Sequence, residues 1–212
     1  MSGGLASPAA FCYRGAMNWS DYPKLLEGRN VRLEPLTMAF HESITAALIP
    51  DPEGWYQTMF GLNTAGHFRN EIAESEAGFK ARRIIPFAIR DNASTRIAGR
   101  CQFMKIDIEN RHLEIGNTMI GPEFRRTHVN TETKFLMLSE AFEVMKMNRV
   151  SFRVDLANLK SRRAVERIGA IYGGELRAER ILPDGRARDY AFYCILSEEW
   201  STVKTKIQNL MV

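Results

Sequence analysis

Two arginines stand just before a long helical stretch in this 212-residue chain, Arg125 and Arg126, and their type and spacing suit them to anion chemistry. They lie in the segment Glu114 to Lys134, EIGNTMIGPEFRRTHVNTETK. It reads as a strand, a Gly-Pro stop, a short loop and a helix that begins near Asn130 or Thr131. A helix start presents unpaired backbone N–H groups and about half a positive charge. Arginine guanidinium groups match phosphate oxygens. The combination fits a pyrophosphate. An ordinary solvated turn carries the same features, so the segment alone leaves both readings level.

Asn158 and Ser161 stand at the start of a short helix over Ser161–Ile168 that Gly169 ends. Both are residue types that cap helices well. The three cysteines are Cys12, Cys101 and Cys194, an odd number without paired spacing, which argues against a disulfide framework. No Cys-x-x-Cys or His-x-x-x-His pair exists, so no metal is expected. Cys194 sits in an alternating strand between Phe192 and Leu196 and reads as a small buried hydrophobe. Cys101 follows Arg100, a neighbour that lowers a thiol pKa slightly.

The elements that must position these residues follow from periodicity and turn chemistry. Asn30–Leu36 alternates as a first strand. Thr37 is expected to cap a helix running to about Leu48, before Pro50 and Pro52. A second helix covers Phe68–Arg82. Strands follow over Pro86–Asp91, Ile97–Glu109 and Leu113–Ile120. The strongest helix is Thr131–Met147, where Phe135, Leu138, Phe142 and Met145 share a face. After it come a strand (Arg149–Leu156), the short helix, and two closing strands, Ile171–Arg180 and Arg188–Leu196, joined at Pro183-Asp184-Gly185. Ser197 is expected to start a terminal helix to Leu210. The order implies one mixed α/β domain over residues 21–212, with residues 1–20 as a disordered extension.

Composition excludes several classes. With 45% apolar residues the chain is globular. Its 29 basic residues face 25 acidic ones, and the arginine run from Arg162 to Arg188 is broken by Glu166, Glu175, Glu179 and Asp184. Nucleic-acid binders concentrate such charge, so no nucleic-acid partner is expected. No apolar run approaches the ~20 residues of a membrane span. The first 16 residues lack the pattern of a signal peptide. Free cysteines and no leader point to the cytoplasm.

Four strings, in order, resemble the GNAT superfamily of acetyltransferases, in particular its branch of ribosomal-protein N-terminal acetyltransferases. The first is Leu26-Glu27-Gly28-Arg29-Asn30-Val31-Arg32-Leu33. The second is Glu114-Ile115-Gly116 followed by Arg125-Arg126-Thr127-His128-Val129-Asn130-Thr131-Glu132. The third is Asn158-Leu159-Lys160-Ser161 with Ala164 and Gly169-Ala170. The fourth is Gly174-Glu175-Leu176-Arg177, continuing to Asp184-Gly185 and Arg188-Asp189. The loop departs from the family pattern Arg/Gln-x-x-Gly-x-Gly/Ala: His128 occupies the first glycine position and Asn130 the second small one. Glycine permits close backbone approach, so His128 is expected to narrow the loop, as a surface residue beside the phosphates rather than a base.

The resemblance implies a largely antiparallel twisted sheet, split between two parallel strands (Leu113–Ile120 and Arg149–Leu156) and flanked by helices. Acetyl-CoA would lie in the split as co-substrate. Backbone groups at Met119 and Ile120 would meet the pantetheine and polarise the thioester. Arg125, Arg126, Thr127, His128, Val129, Asn130 and Thr131 would hold the pyrophosphate. Asn158 would contact the pantetheine arm, and Ser161 would protonate or hydrogen-bond the leaving thiolate. Glu114 is the matched general base, acting through water, with an ion pair to Arg111 or Arg149 as its alternative role. Glu179 and Tyr193 are further candidates to face the amine. Trp55, Tyr56, Met59, Phe60, Phe68 and Phe79 would form a substrate wall, or pack in the core. No histidine stands beside either cysteine, which favours direct attack by the amine over a covalent acyl-enzyme. The acceptor would be a primary amine, on a protein N-terminus or a small molecule such as an antibiotic. The competing expectation is a non-catalytic acyl-CoA sensor on the same fold. A homodimer is compatible with the sheet edges and the terminal helix.

Overall fold

The computed structural model describes residues 17–22, 24–51, 64–182 and 184–211. Its strands are β1 (Leu26–Glu27), β2 (Val31–Pro35), β3 (Ile84–Asp91), β4 (Ile97–Asp107), β5 (His112–Ile120), β6 (Arg149–Asp155), β7 (Ile171–Ile181) and β8 (Ala187–Leu196). Its helices are α1 (His41–Leu48), α2 (Ala65–Lys80), α3 (His128–Ser139), α4 (Leu159–Arg167) and α5 (Trp200–Asn209). The strands form one sheet in the order β1-β2-β3-β4-β5-β6-β8-β7. Every neighbouring pair is antiparallel except β5 with β6.

Alternation along the strands divides the core between the two faces of the sheet. Phe87, Cys101, Phe103, Leu113, Ile115, Val150 and Phe152 are buried with Val129, Met137 and Leu138 of α3 and Ile207 of α5. The opposite face buries Ala88, Ile97 and Met119 with Ile44 and Leu48 of α1 and Phe68 and Ile72 of α2. The packed part of the chain reaches back to Met17, which is buried, and Trp19, whose ring lies 6.2 Å from that of Phe79. Met17 and Trp19, expected in the extension, thus pack with the core, while Asn18 and Ser20 are exposed.

Local signals explain most element ends. The Thr64 side chain accepts the His67 N–H and starts α2 three residues before the expected point. Gly169, at φ +104°, ends α4, with Ala170 N–H bonded to Val165 O and Gly169 N–H to Glu166 O. Thr37 makes no side-chain cap; a 3₁₀ turn over Met38–Phe40 intervenes before α1. Ser197 likewise opens a 3₁₀ turn, and the Glu199 carboxylate caps from within it by accepting the Leu196 N–H at 2.8 Å.

The long helix differs most from expectation. It starts at His128, with Thr127 as its cap, and its regular part stops at Ser139. A wider π turn follows over Glu140–Val144, closed by Met145 N–H to Glu140 O. Buried Glu140 is held there by the Tyr22 hydroxyl and by Lys24 at 2.6 Å. Pro183 of the β7–β8 turn lies outside the described residues; Gly185 in that turn has φ +83°.

Candidate active site

The site is built where two strands part. β5 and β6 pair in parallel only at His112–Arg149, Leu113–Val150 and Glu114–Ser151. Beyond Glu114 they separate. The cause lies in β5: Gly116 faces Gln102 and Met119 faces Arg100, so Asn117 and Thr118 both stand opposite Cys101. This is a bulge, with Asn117 at φ +49°, a conformation that asparagine tolerates better than most residues. Bulges bend and overtwist a strand. The β6-facing edge of residues 115–120 is therefore left without a strand partner, open to an extended ligand.

The α3 N-terminus stands at the mouth of this split. The Thr127 hydroxyl donates to Phe124 O at 2.7 Å and accepts the Val129 N–H at 3.3 Å. Arg126, exposed, adopts φ +62°, so the tight turn that the family pattern associates with glycine falls on an arginine. His128 is the first helical residue and has no positive φ. Its Nε2 lies 2.9 Å from Asp91 Oδ1, next to the β3–β4 turn. The imidazole, expected to narrow the loop, is drawn aside toward Asp91. Burial works to raise the Asp91 carboxyl, but hydrogen bonds from Ser94 and His128 outweigh it and hold the group below the usual range.

The loop arginines have different jobs. Arg125 Nε donates to Ile120 O at 3.1 Å, and its Nη1 lies 2.9 Å from buried Asp51. It braces the loop against the strand end, and Arg126 is the more open cation. Val129 is buried in the core and Asn130 is half-buried. The Thr131 hydroxyl is turned to α4, where Arg167 Nη2 donates to it at 2.7 Å.

Across the split, β6 runs into the start of α4. Asn158 Oδ1 accepts the Ser161 N–H at 3.0 Å, so Asn158 is the helix cap and Ser161 sits half-buried in the first turn. Met119 lies with its side chain in the α1–α2 core, next to Ile120 at the open edge.

Glu114 occupies the last paired step before the split and is 5% exposed. The partners expected for it, Arg111 and Arg149, are replaced by Arg153 (Nε to Oε2 3.0 Å) and Lys105 (3.7 Å). Arg153 also binds Glu179 of β7, and Lys105 lies 3.6 Å from it. Burial raises the Glu114 pKa; Lys105 and Arg153 pull it back. Of the two hairpin candidates, only Glu179 joins this cluster. Tyr193 pairs with Phe152 on the other face, accepting from Arg162 at 3.0 Å and donating to Glu166 at 2.7 Å. Sequence reasoning missed Arg153 and Lys105. The polar alternation Ser151, Arg153, Asp155 along β6 was the signal for the first.

Cys12 lies outside the described residues; Cys101 and Cys194 are unsuited to nucleophilic work. Burial pushes the Cys101 thiol up to about 12 and also raises Cys194. Arg100 is turned to the opposite face, onto Glu71 at 3.1 Å. No group of three or more His, Cys, Asp or Glu side chains able to hold a metal occurs among the described residues, and no described helix is long and apolar enough to cross a membrane. Phe68 and Phe79 pack in the cores. Trp55, Tyr56, Met59 and Phe60 lie outside the described residues. A hollow of about 490 Å³ beside His112, Arg149 and Ser197 lies at the joined end of β5 and β6, away from the split.

Comparison with known proteins agrees with this geometry. Residues 30–171, well over half of the chain, match the family description "Acetyltransferase (GNAT) domain". The chain belongs to the GNAT acetyltransferase family. YdaF of Bacillus subtilis (strain 168), described as a candidate ribosomal N-acetyltransferase, is 32% identical over 108 residues, 51% of this chain and 58% of that protein. A GCN5-related N-acetyltransferase from Brucella melitensis superposes with a TM-score of 0.80 at 31% identity, over 89% of this chain and 86% of that one. Mycobacterium smegmatis RimJ, solved with CoA-disulfide, shares the fold with a TM-score of 0.76 at 17% identity, over 89% and 95% of the two chains. The GNAT assignment makes the parted strands and the capped α3 start the features to interpret.

Proposed function

We propose that this GNAT protein transfers the acetyl group of acetyl-CoA to a primary amine, with the α-amino group of a protein N-terminus as the favoured acceptor. The observation that carries the proposal is the placement of Glu114 at the apex of the split, with the capped start of α3 at its mouth. The open edge of β5 has the length and hydrogen-bonding character to pair with a pantetheine. Backbone N–H groups near Met119 and Ile120 would polarise the thioester carbonyl. The first N–H groups of α3, from His128 to Thr131, with Arg126, would hold the pyrophosphate. Arg125 shapes that loop. Asn158 would meet the pantetheine arm while capping α4.

The chemistry is direct. The neutral amine attacks the thioester carbonyl, the tetrahedral adduct collapses, and the carbon–sulfur bond breaks. Glu114, through water, takes the proton lost from nitrogen. Ser161 donates a hydrogen bond to the departing thiolate. An α-amino group, with a pKa near 7.7–8.0, needs little help from the base, and a lysine amine near 10.4 needs more. A partly desolvated carboxylate held between two cations suits the milder task. The likeness to YdaF supports the protein acceptor.

The test is calorimetric binding of acetyl-CoA, followed by thiol release with N-terminal peptides and with small amines. Binding and release with peptides support the proposal. Release with small amines alone replaces the acceptor class. Binding without release from any amine favours a sensor, and no binding rejects the reading.

A further inference from the structure

Lys134 is a buried cation that the scheme above does not use. It stands on α3, 5% exposed, and its Nζ lies 2.6 Å from Thr118 Oγ1. Among the described residues no carboxylate forms an ion pair with it. A lone buried ammonium is costly, so its retention calls for a physical reason. Burial draws its pKa down to about 8. The titratable group acting on it is the Cys101 thiol of β4, neutral because burial pushes it up. From β5 it meets the hydroxyl of Thr118. The buried carboxylates of this helix and its continuation are committed elsewhere, Glu132 to Asn30 and Glu140 to Tyr22 and Lys24, and Arg167 of α4 donates to Thr131.

Position gives the cation its meaning. Thr118 belongs to the bulge, in the stretch of β5 that has left β6 and is held by β4 alone. The extra residue shifts the alternation. Glu114, Gly116 and Met119 pair with Met104, Gln102 and Arg100 on one face, which turns Thr118 to the other, toward α3. The Lys134–Thr118 bond ties that one-sided edge to the helix whose start forms the mouth of the split.

We infer that Lys134 is a positioning residue for acyl transfer: through Thr118 it fixes the free edge of β5 and sets a positive charge behind the backbone that receives the thioester oxygen. The inference rests on the proposed seat of acetyl-CoA in the split. A cation in a poorly screened interior favours negative charge that develops on that oxygen, and a rigid edge keeps its donors aligned. Both effects act in the transition state, so they appear in kcat rather than in acetyl-CoA affinity.

The experiment is a double-mutant cycle of Lys134→Met and Thr118→Val in the full chain, with kcat measured from pH 6 to 10, acetyl-CoA affinity by calorimetry, and folding by thermal unfolding. At pH 7 each single variant is expected to lose about tenfold in kcat, less than deletion of a direct oxyanion donor, with little change in affinity. The double variant falls no further than Lys134→Met. Wild-type kcat declines as pH rises through about 8, as Lys134 loses its proton, and Lys134→Met lacks that decline. A merely structural lysine would lower the melting temperature and leave the pH profile unchanged; that result, or additive losses, overturns the inference. If Lys134→Met does not fold, Thr118→Ser against Thr118→Val decides: serine keeps the hydroxyl and the rate, and equal rates for both overturn it. Wild-type protein that binds no acetyl-CoA overturns the functional reading and this inference together, whereas normal wild-type turnover with unchanged variants overturns the inference alone.

Discussion

Arg153 Nε lies 3.0 Å from Glu114 Oε2, two residues past Ser151, the last β6 residue to pair with β5. The guanidinium also reaches Glu179, so the charge that steadies the proposed base is shared with a carboxylate on the closing hairpin. Arg153 lowers the Glu114 pKa and Glu179 raises it. Arg153→Met should therefore move the acid limb of kcat/KM to higher pH, and Glu179→Gln should move it lower. Glu114→Gln should remove the limb and reduce kcat/KM about 10²-fold. A pH–rate profile of the three variants checks all three directions.

His128 and Asp91 join the start of α3 to the β3–β4 turn. The folded-state pKa of Asp91 lies below its ordinary value. Its contribution to stability is thus present above the unfolded-state pKa, near 3.9, and lost as pH falls through the folded value. Asp91→Asn should cost about 1–2 kcal/mol at pH 7, and the difference from wild type should shrink below about pH 4. Thermal unfolding across that range measures it. His128→Gly, which restores the family residue, should change acetyl-CoA affinity only a few-fold, because the imidazole already points away from the loop.

Asn158 has a capping role that is visible and a ligand role that is proposed. Aspartate keeps the cap, and alanine removes it at a cost of about 1 kcal/mol. Asn158→Asp should retain the melting temperature and yet weaken acetyl-CoA binding, because a carboxylate cannot donate to the pantetheine. Equal affinity in Asn158→Asp and wild type would leave Asn158 as a cap alone.

Cys101 is fully buried and Cys194 half-buried, each with a raised thiol pKa. Cys101→Ala and Cys194→Ala should keep kcat close to wild type, apart from any loss of folded protein. Intact-mass measurement during turnover should show no acetylated enzyme. A thiol-linked acetyl adduct would replace direct attack with a two-step route.

The order of the elements around the site was legible in local sequence. Asn158 before α4 and Gly169 after it follow from backbone chemistry within a few residues, whereas α3 begins at His128, ahead of the expected Asn130 or Thr131. Boundaries slipped where a distant side chain intervened, as at Glu140, which is held by Tyr22 and Lys24 more than a hundred positions away. Arg125 illustrates the same limit. Its type fits phosphate, but its actual partner Asp51 comes from another part of the chain.

The sequence by itself determined the order of strands and helices, a long helix behind two arginines, and the Glu114 strand, because periodicity acts over a single turn or pleat. Only the tertiary structure decided which side chains share a face. One extra residue at Asn117–Thr118 inverts the alternation of β5, placing Met119 with Glu114's face and Thr118 against Lys134. Strand pleating carries side-chain direction forward residue by residue, so a bulge whose place is set by pairing with β4 reassigns every position after it.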